Sequence, residues 1–311
     1  MSQLPAFDRL FAARRVLLMG AGGGYDVLGA VPLLSELRRR GIVVDLASVS
    51  FAALDSLPGA VADTQASCLY RVDAAAATST AYCPEAWLAR WLRESQQSDA
   101  PVWAFSKVGV RPLRAALSVL TQRLGTDLLV LVDGGVDLAL RGDEASIGTP
   151  SEDLATLAAA AGLGVPALAM CIGFGAELRE GISHAQVLER FAELQRAGAF
   201  LGALSLHPET GAGTAYREAL AFVEAGQKGQ RGSHVQRVVL ASMEGQFGDL
   251  GPDIWISPLA ALCWFFDVAR MAASHLFLES LEQTDTMWDV TNVIRACRKT
   301  LAVRPRSPIP I

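Results

Sequence analysis

Val16-Leu17-Leu18-Met19-Gly20-Ala21-Gly22-Gly23-Gly24-Tyr25-Asp26 begins as a near-continuous apolar run and breaks into a turn with four glycines in five positions. The helical pattern Val27 to Arg40 follows directly. The order is therefore strand, tight turn, helix. Glycines at 20, 22, 23 and 24 let the backbone fold closely under a ligand, and free N–H groups at a helix start favour an anion. Gly20, Gly22, Gly23, Gly24 and Asp26 are the first candidate ligand- or cofactor-binding residues.

Outward from this turn, apolar runs alternate with helical patterns. The strand candidates are Val16–Gly20, Ile42–Val49, Val102–Phe105, Leu128–Val132, Ala167–Cys171 and Val235–Ala241. The helix candidates after the first are Pro112–Leu124, Glu152–Ala161, His184–Ala197, Thr214–Ala225, Pro258–Ala272 and Asp285–Leu301. Near-continuous apolar strands between amphipathic helices imply a mostly parallel sheet covered on both faces, joined by right-handed crossovers. The expected fold is α/β: a doubly wound, Rossmann-like sheet with helices on both faces. One domain over 1–303 is expected, with a proline-rich tail over 304–311.

Composition narrows the class. Hydrophobic residues make up 51% of the 311 and charged residues 19%, which suits a chain with a large buried core. The apolar stretches fall far short of the roughly 20 residues that cross a bilayer, and the N-terminus lacks the pattern of a signal peptide. A cytoplasmic protein without membrane contact is expected. Five cysteines without paired CxxC spacing argue against a disulfide framework and a structural zinc site. A net charge of −5 does not support nucleic-acid binding, which needs a basic face.

In open α/β sheets ligands bind beyond the carboxyl ends of the strands. After Leu128–Val132 comes Asp133-Gly134-Gly135-Val136-Asp137, continuing to Arg141-Gly142-Asp143-Glu144, with four carboxylates in twelve residues. Asp133 and Asp137, facing a crevice with Asp26, could collect Mg²⁺ or Ca²⁺ or hold ribose hydroxyls. Asp143 and Glu144 are expected to face water. His207 and Glu209, in Leu206-His207-Pro208-Glu209, are candidates for proton transfer. Asp133, Asp137, His207 and Glu209 form the candidate catalytic set. Cys171 has no evident base beside it and reads as a buried thiol.

Two familiar nucleotide motifs are incomplete. Gly20 and Gly22 fit the first glycines of GxGxxG, but Tyr25 stands at the third, and Asp45 lies within its strand where a ribose-binding acid is wanted near the end. A P-loop fails for lack of GKS or GKT.

The segments Met19-Gly20-Ala21-Gly22-Gly23-Gly24-Tyr25-Asp26, Val132-Asp133-Gly134-Gly135-Val136-Asp137 with Arg141-Gly142-Asp143-Glu144, and Thr149-Pro150-Ser151-Glu152-Asp153 together resemble an uncharacterised domain-of-unknown-function family of α/β proteins. Gly245-Gln246-Phe247-Gly248 and Trp255-Ile256-Ser257-Pro258-Leu259 extend the likeness, with Ser257 where asparagine is more usual. The resemblance implies one family-length α/β unit and transfers no catalytic residue. The leading expectation is a hydrolase or transferase acting on an anionic, phosphorylated or nucleotide-like small molecule. A non-catalytic nucleotide sensor and an atypical NAD(P)-dependent oxidoreductase are the alternatives. Beyond a divalent metal no cofactor is implied, and homo-oligomerisation is left open.

Overall fold

The computed structural model describes residues 5–78, 81–251, 254–306 and 308. Helix α1 (Pro5–Ala12) leads into β1 (Arg15–Gly20), and the glycine turn passes to α2 (Asp26–Gly29), α3 (Val31–Arg39) and β2 (Val43–Val49). The hairpin β3 (Ala60–Ala62) and β4 (Leu69–Val72) and helix α4 (Pro84–Gln96) precede β5 (Val102–Phe105). Then come α5 (Val110–Leu124), β6 (Leu128–Gly134), α6 (Pro150–Ala161), β7 (Ala167–Ile172), α7 (His184–Arg196) and β8 (Phe200–Ser205). Helices α8 (Gly211–Gly226) and α9 (His234–Met243), the ribbon β9 (Gly248–Asp249) and β10 (Trp255–Ile256), strand β11 (Leu262–Asp267), α10 (Val268–Ala273) and α11 (Met287–Thr300) complete the chain.

One nine-stranded sheet holds the order β3-β4-β5-β2-β1-β6-β7-β11-β8. Its five central strands, β5 to β7, are parallel, and both flanks are antiparallel. The chain runs from β1 to β2 on one side and returns to place β6 on the other. That reversal leaves a crevice at the carboxyl ends of β1 and β6, where crossovers diverge.

Alternation along the central strands fills both layers. Leu17, Met19, Leu129, Leu131 and Cys171 join one core with α5, α6, α7 and α11, while Val16, Leu18, Val130, Val132 and Met170 join the other with α3, α4 and α8. Burying a side chain of this size contributes roughly 2 kcal/mol. A solvated face would therefore forfeit many such contributions, and helices cover both sides.

Several elements depart from the sequence expectation. The helix over Val27–Arg40 is split into α2 and α3 around Ala30, because Pro32 has no N–H to give Leu28 and its ring would strike that carbonyl. Val235–Ala241 is helical, within α9. Its Val235, Val238, Val239 spacing is a 3.6-residue stripe despite the β-branched residues, and the Ser233 side chain caps it by accepting from Gln236 N. Pro258–Ala272 is a short 3₁₀ turn, strand β11 and α10, since Leu-Cys-Trp-Phe-Phe is an apolar run too short to separate strand from helix by period alone. Helix α4 and strands β3, β4 and β8 were not anticipated.

The tail is docked at its start. Arg304 N–H donates to Asp143 O (2.7 Å), its guanidinium pairs with Asp143 and Glu189, and Pro305 O accepts from Gln186. Arg304 and Pro305 thus belong to the body; residues 307 and 309–311 lie outside the described residues.

Arg190 is buried between α7, α10 and the segment after β6, donating to Ala139 O (3.0 Å), Ser274 Oγ (2.7 Å) and Glu193 (3.2 Å). Arg190→Ala leaves a cavity and an unpaired carbonyl beside the loop that carries Asp137. We expect a loss of about 2–4 kcal/mol, read as a lower urea midpoint at unchanged slope.

Candidate metal centre

The crevice is built from the ends of β1 and β6. Ala21 N–H donates to Val132 O at 2.8 Å, extending the ladder one residue past β1 before the chain turns. The turn was expected to cradle an external anion. Instead the Gly22 N–H donates to Oδ2 of Asp26 at 2.7 Å, so the seat is filled by the chain's own carboxylate. The helix that follows, α2, is a single turn and adds little dipole.

The glycines at these strand ends are slots for acids. A Cβ on Gly22 would sit 2.7 Å from both oxygens of Asp153 and 2.8 Å from Asp26 Oδ2. On Gly134 it would lie 2.6 Å from Asp26 Oδ1, and on Gly135 2.6 Å from Glu177 Oε2. Gly148, which also has a positive φ, would meet Asp137 Oδ2 at 2.5 Å. Gly23 makes room for the ring of Phe51, and Gly20 lets the Val27 N–H approach β1 closely.

Five inward carboxylates, Asp26, Asp133, Asp137, Asp153 and Glu177, line one cavity of about 390 Å³, which the exposed Glu180 also lines. Oxygens of Asp26, Asp133 and Asp153 all lie within 4.8 Å of one another. Asp133 ends β6, and Asp26 opens α2. Asp153 projects from the first turn of α6, which is pinned to the end of β1 by the Thr156 hydroxyl donating to Ala21 O at 2.9 Å. Asp153 is 3% exposed, and its Oδ1 has no hydrogen-bond partner. Backbone N–H groups steady the others: Leu138 donates to Asp133 (3.3 Å), Thr149 to Asp137 (3.0 Å) and Val136 to Glu177 (2.6 Å).

Burial raises all five, and acidic neighbours add to it for Asp26, Asp133, Asp153 and Glu177. Burial, then the charge of Asp137, pushes Asp26 up to about 7, against hydrogen bonds from the glycine turn. Burial pushes Asp137 up to about 6, with Glu177 hydrogen-bonded to it. Asp133, Asp153 and Glu177 are driven well above the usual carboxylate range by burial first and by their acidic neighbours second. Near neutral pH the metal-free cluster therefore holds protons. Cys171, paired with Asp133 across the sheet, is pushed up by burial and by that carboxylate, so it is a thiol and a donor.

Such a cluster sets a pH dependence. The folded metal-free cluster binds more protons than the same groups in the unfolded chain between the ordinary carboxylate range and about pH 7, so the stability it contributes is full below about pH 4 and is lost as pH rises through 6 and 7. Asp26 alone accounts for on the order of 4 kcal/mol of that loss. Urea unfolding at pH 4.5, 6 and 7.5 in the presence of chelator checks it; a rise in stability across this interval would contradict the assignment.

The remaining expected residues lie elsewhere. His207 lines a separate apolar pocket beside Phe7, Phe11 and Leu33, next to edge strand β8. Glu209 is exposed, its N–H donating to His207 Nδ1 at 3.3 Å. Neither is brought to Asp133 and Asp137, because β8 lies two strands beyond β7 in the sheet. Asp45 is held by Arg15 at 2.7 Å, three residues before Ser48, which pairs with Gly20, and four before the end of β2 at Val49. Asp143 and Glu144 are buried rather than solvated. Glu144 accepts from the N–H groups of Arg141 (2.9 Å) and Gly142 (2.8 Å), Asp143 pairs with Arg141 and Arg304, and Arg298 donates to Gly142 O and Glu144 O. This knot shapes the loop behind the site.

Asp153 and Glu177 were not among the expected site residues. Asp153 lies in the first turn of α6, and its pairing with a glycine slot 131 positions earlier was not visible in the sequence. Glu177 sits in the turn Gly173-Phe174-Gly175-Ala176-Glu177 after β7, whose glycines mark it only as a strand end.

A family model described as protein of unknown function (DUF1152) matches residues 17–300. The chain belongs to the DUF1152 family. No curated protein and no solved structure matches it. The DUF1152 span contains the glycine turn, all five carboxylates and the Arg141–Glu144 knot, and it omits α1 and the tail.

Proposed function

We propose that this DUF1152 protein binds a divalent cation, Mg²⁺ or Mn²⁺, through Asp26, Asp133 and Asp153, and uses it as a hydrolase or transferase on a phosphorylated or nucleotide-like small molecule. One observation carries the reading: three acids on three separate elements meet within 4.8 Å, and the buried Oδ1 of Asp153 has no partner. Hard cations take carboxylate oxygens and are the natural means of offsetting so much negative charge. They also reconcile an acidic pocket with an anionic substrate, since the cation bridges protein carboxylates and phosphate oxygens.

In hydrolysis, water attacks phosphorus, the new P–O bond forms and the bond to the leaving oxygen breaks. The hydrogen-bonded Asp137 and Glu177 accept the water proton and return one to the leaving oxygen. This pair takes the role expected of His207 and Glu209. In a transferase an acceptor hydroxyl replaces water.

The test is a calorimetric titration of Mn²⁺ into chelator-treated protein at pH 7.5 in two buffers of different ionisation enthalpy. Binding should release protons from the cluster, and the loaded protein should turn over members of a phosphoester panel. Asp137→Asn with Glu177→Gln should keep Mn²⁺ binding and lose turnover. Absence of Mn²⁺ and Mg²⁺ binding would sink the proposal, and cation binding without any turnover would leave a sensor.

A further inference from the structure

A second cavity, also of about 390 Å³, adjoins the carboxylate cavity and shares Arg231, Gly232 and His234 with it. Its character is opposite. Arg179, Arg231 and Arg237 supply positive charge, and Leu250, Ile254 and Ile256 supply an apolar wall from the β9–β10 ribbon. Arg237 is engaged with Glu224 at 3.0 Å. Arg231 is exposed and enters no ion pair among the described residues. His234 stands on the partition at the start of the ten-residue helix α9, and its Nε2 is buried without a hydrogen-bond partner.

Two residues that line these adjoining cavities thus carry an orphaned polar atom: Asp153, through Oδ1, on the acidic side and His234, through Nε2, on the partition. They call for ligands of opposite kind, a cation and a group with a lone pair or a proton to share. The geometry points to a single substrate site spanning both cavities, in which an anionic group bridges the carboxylate-bound cation and the Arg231–His234 partition, while an apolar or aromatic group attached to it lies against Leu250, Ile254 and Ile256. The substrate class is therefore a phosphate ester of an apolar or aromatic moiety rather than a small hydrophilic phosphate. This rests on the cation reading of the carboxylate centre.

Three features favour that class. A guanidinium beside a cation is suited to phosphate, which can accept from both sides. The first turn of α9 adds its positive dipole end to the same wall. Leu250, which lines the cavity, is also 52% exposed, an apolar side chain left open to a ligand. Apolar surface of this kind gains by covering a ring or chain.

The test compares inorganic phosphate with phenyl phosphate on Mn²⁺-loaded protein, by calorimetry or by the shift in unfolding temperature. Phenyl phosphate should bind at least roughly tenfold more tightly, as expected when an apolar ring is covered. Arg231→Ala should weaken both anions by about tenfold or more and leave Mn²⁺ affinity unchanged. Leu250→Ser, at an exposed position, should reduce the preference for the phenyl ester and spare inorganic phosphate. Equal affinity for the two anions, or phenyl phosphate binding indifferent to Arg231→Ala, overturns the spanning site while the Mn²⁺ titration still stands. Failure of the parent protein to bind Mn²⁺ instead removes the reading beneath it.

Discussion

Asp153→Asn lowers divalent-cation affinity by roughly a hundredfold or more and makes the metal-free protein more stable at pH 7.5. Both effects follow from one fact. Asp153 is buried within 4.8 Å of two other carboxylate oxygens, with one of its own oxygens unpartnered. Without a cation the buried Asp153 must hold a proton that the unfolded chain gives up at pH 7.5; an amide of the same shape needs none and donates to the neighbouring acids. A gain of about 1–2 kcal/mol is expected, the usual sign of a site held for function at the expense of stability. Calorimetry with Mn²⁺ and urea unfolding with chelator give the two numbers. Unchanged affinity, or a less stable metal-free protein, would show that Asp153 is a structural helix acid only.

Gly22→Ala removes cation binding almost as thoroughly while leaving the fold intact. Gly22 does not have a positive φ, so alanine is compatible with its backbone. The methyl would nevertheless lie 2.7 Å from both Asp153 oxygens and 2.8 Å from Asp26 Oδ2, closer than carbon and oxygen can approach. Asp26 and Asp153 must swing away, and a cation then loses two of three ligands. Affinity should fall at least roughly tenfold to a hundredfold with a change in stability below about 1 kcal/mol. Gly41→Ala is the contrast: φ is +77° and nothing lies within 4 Å, so it should cost about 1–2 kcal/mol through backbone strain and leave cation affinity unaltered. If Gly22→Ala binds Mn²⁺ like the parent, the slots described above are coincidental.

The separation between what was legible and what was not runs along physical lines. The turn at Gly20 to Gly24 was legible as a place where backbone comes close to an anion, and it does so, but the anion is Asp26 four residues on. Glycine records that space is needed and does not record for what. Asp133 and Asp137 were legible because they follow an apolar strand at the rim of the sheet. His207 follows a strand too, but β8 enters the sheet outside β11, a placement fixed by an antiparallel strand late in the chain. Asp143 and Glu144 looked like charge for solvent; their burial rests on Arg141 and local N–H groups together with Arg304, more than 150 residues later, while Arg298 holds the carbonyls of the same loop.

The amino-acid order alone determined that apolar strands with both faces buried alternate with amphipathic helices, and that the glycine-rich and acidic segments lie beyond strand ends. Those are local properties, set by side-chain period and by the conformational freedom of glycine. Which acids share a cavity was decided only in three dimensions. Asp26 follows β1, Asp133, Asp137 and Asp153 lie along the connection from β6 into α6, and Glu177 follows β7; they meet because β1, β6 and β7 are neighbours at the point where the strand order reverses. Their charges interact strongly only across that buried distance, which no spacing along the chain encodes.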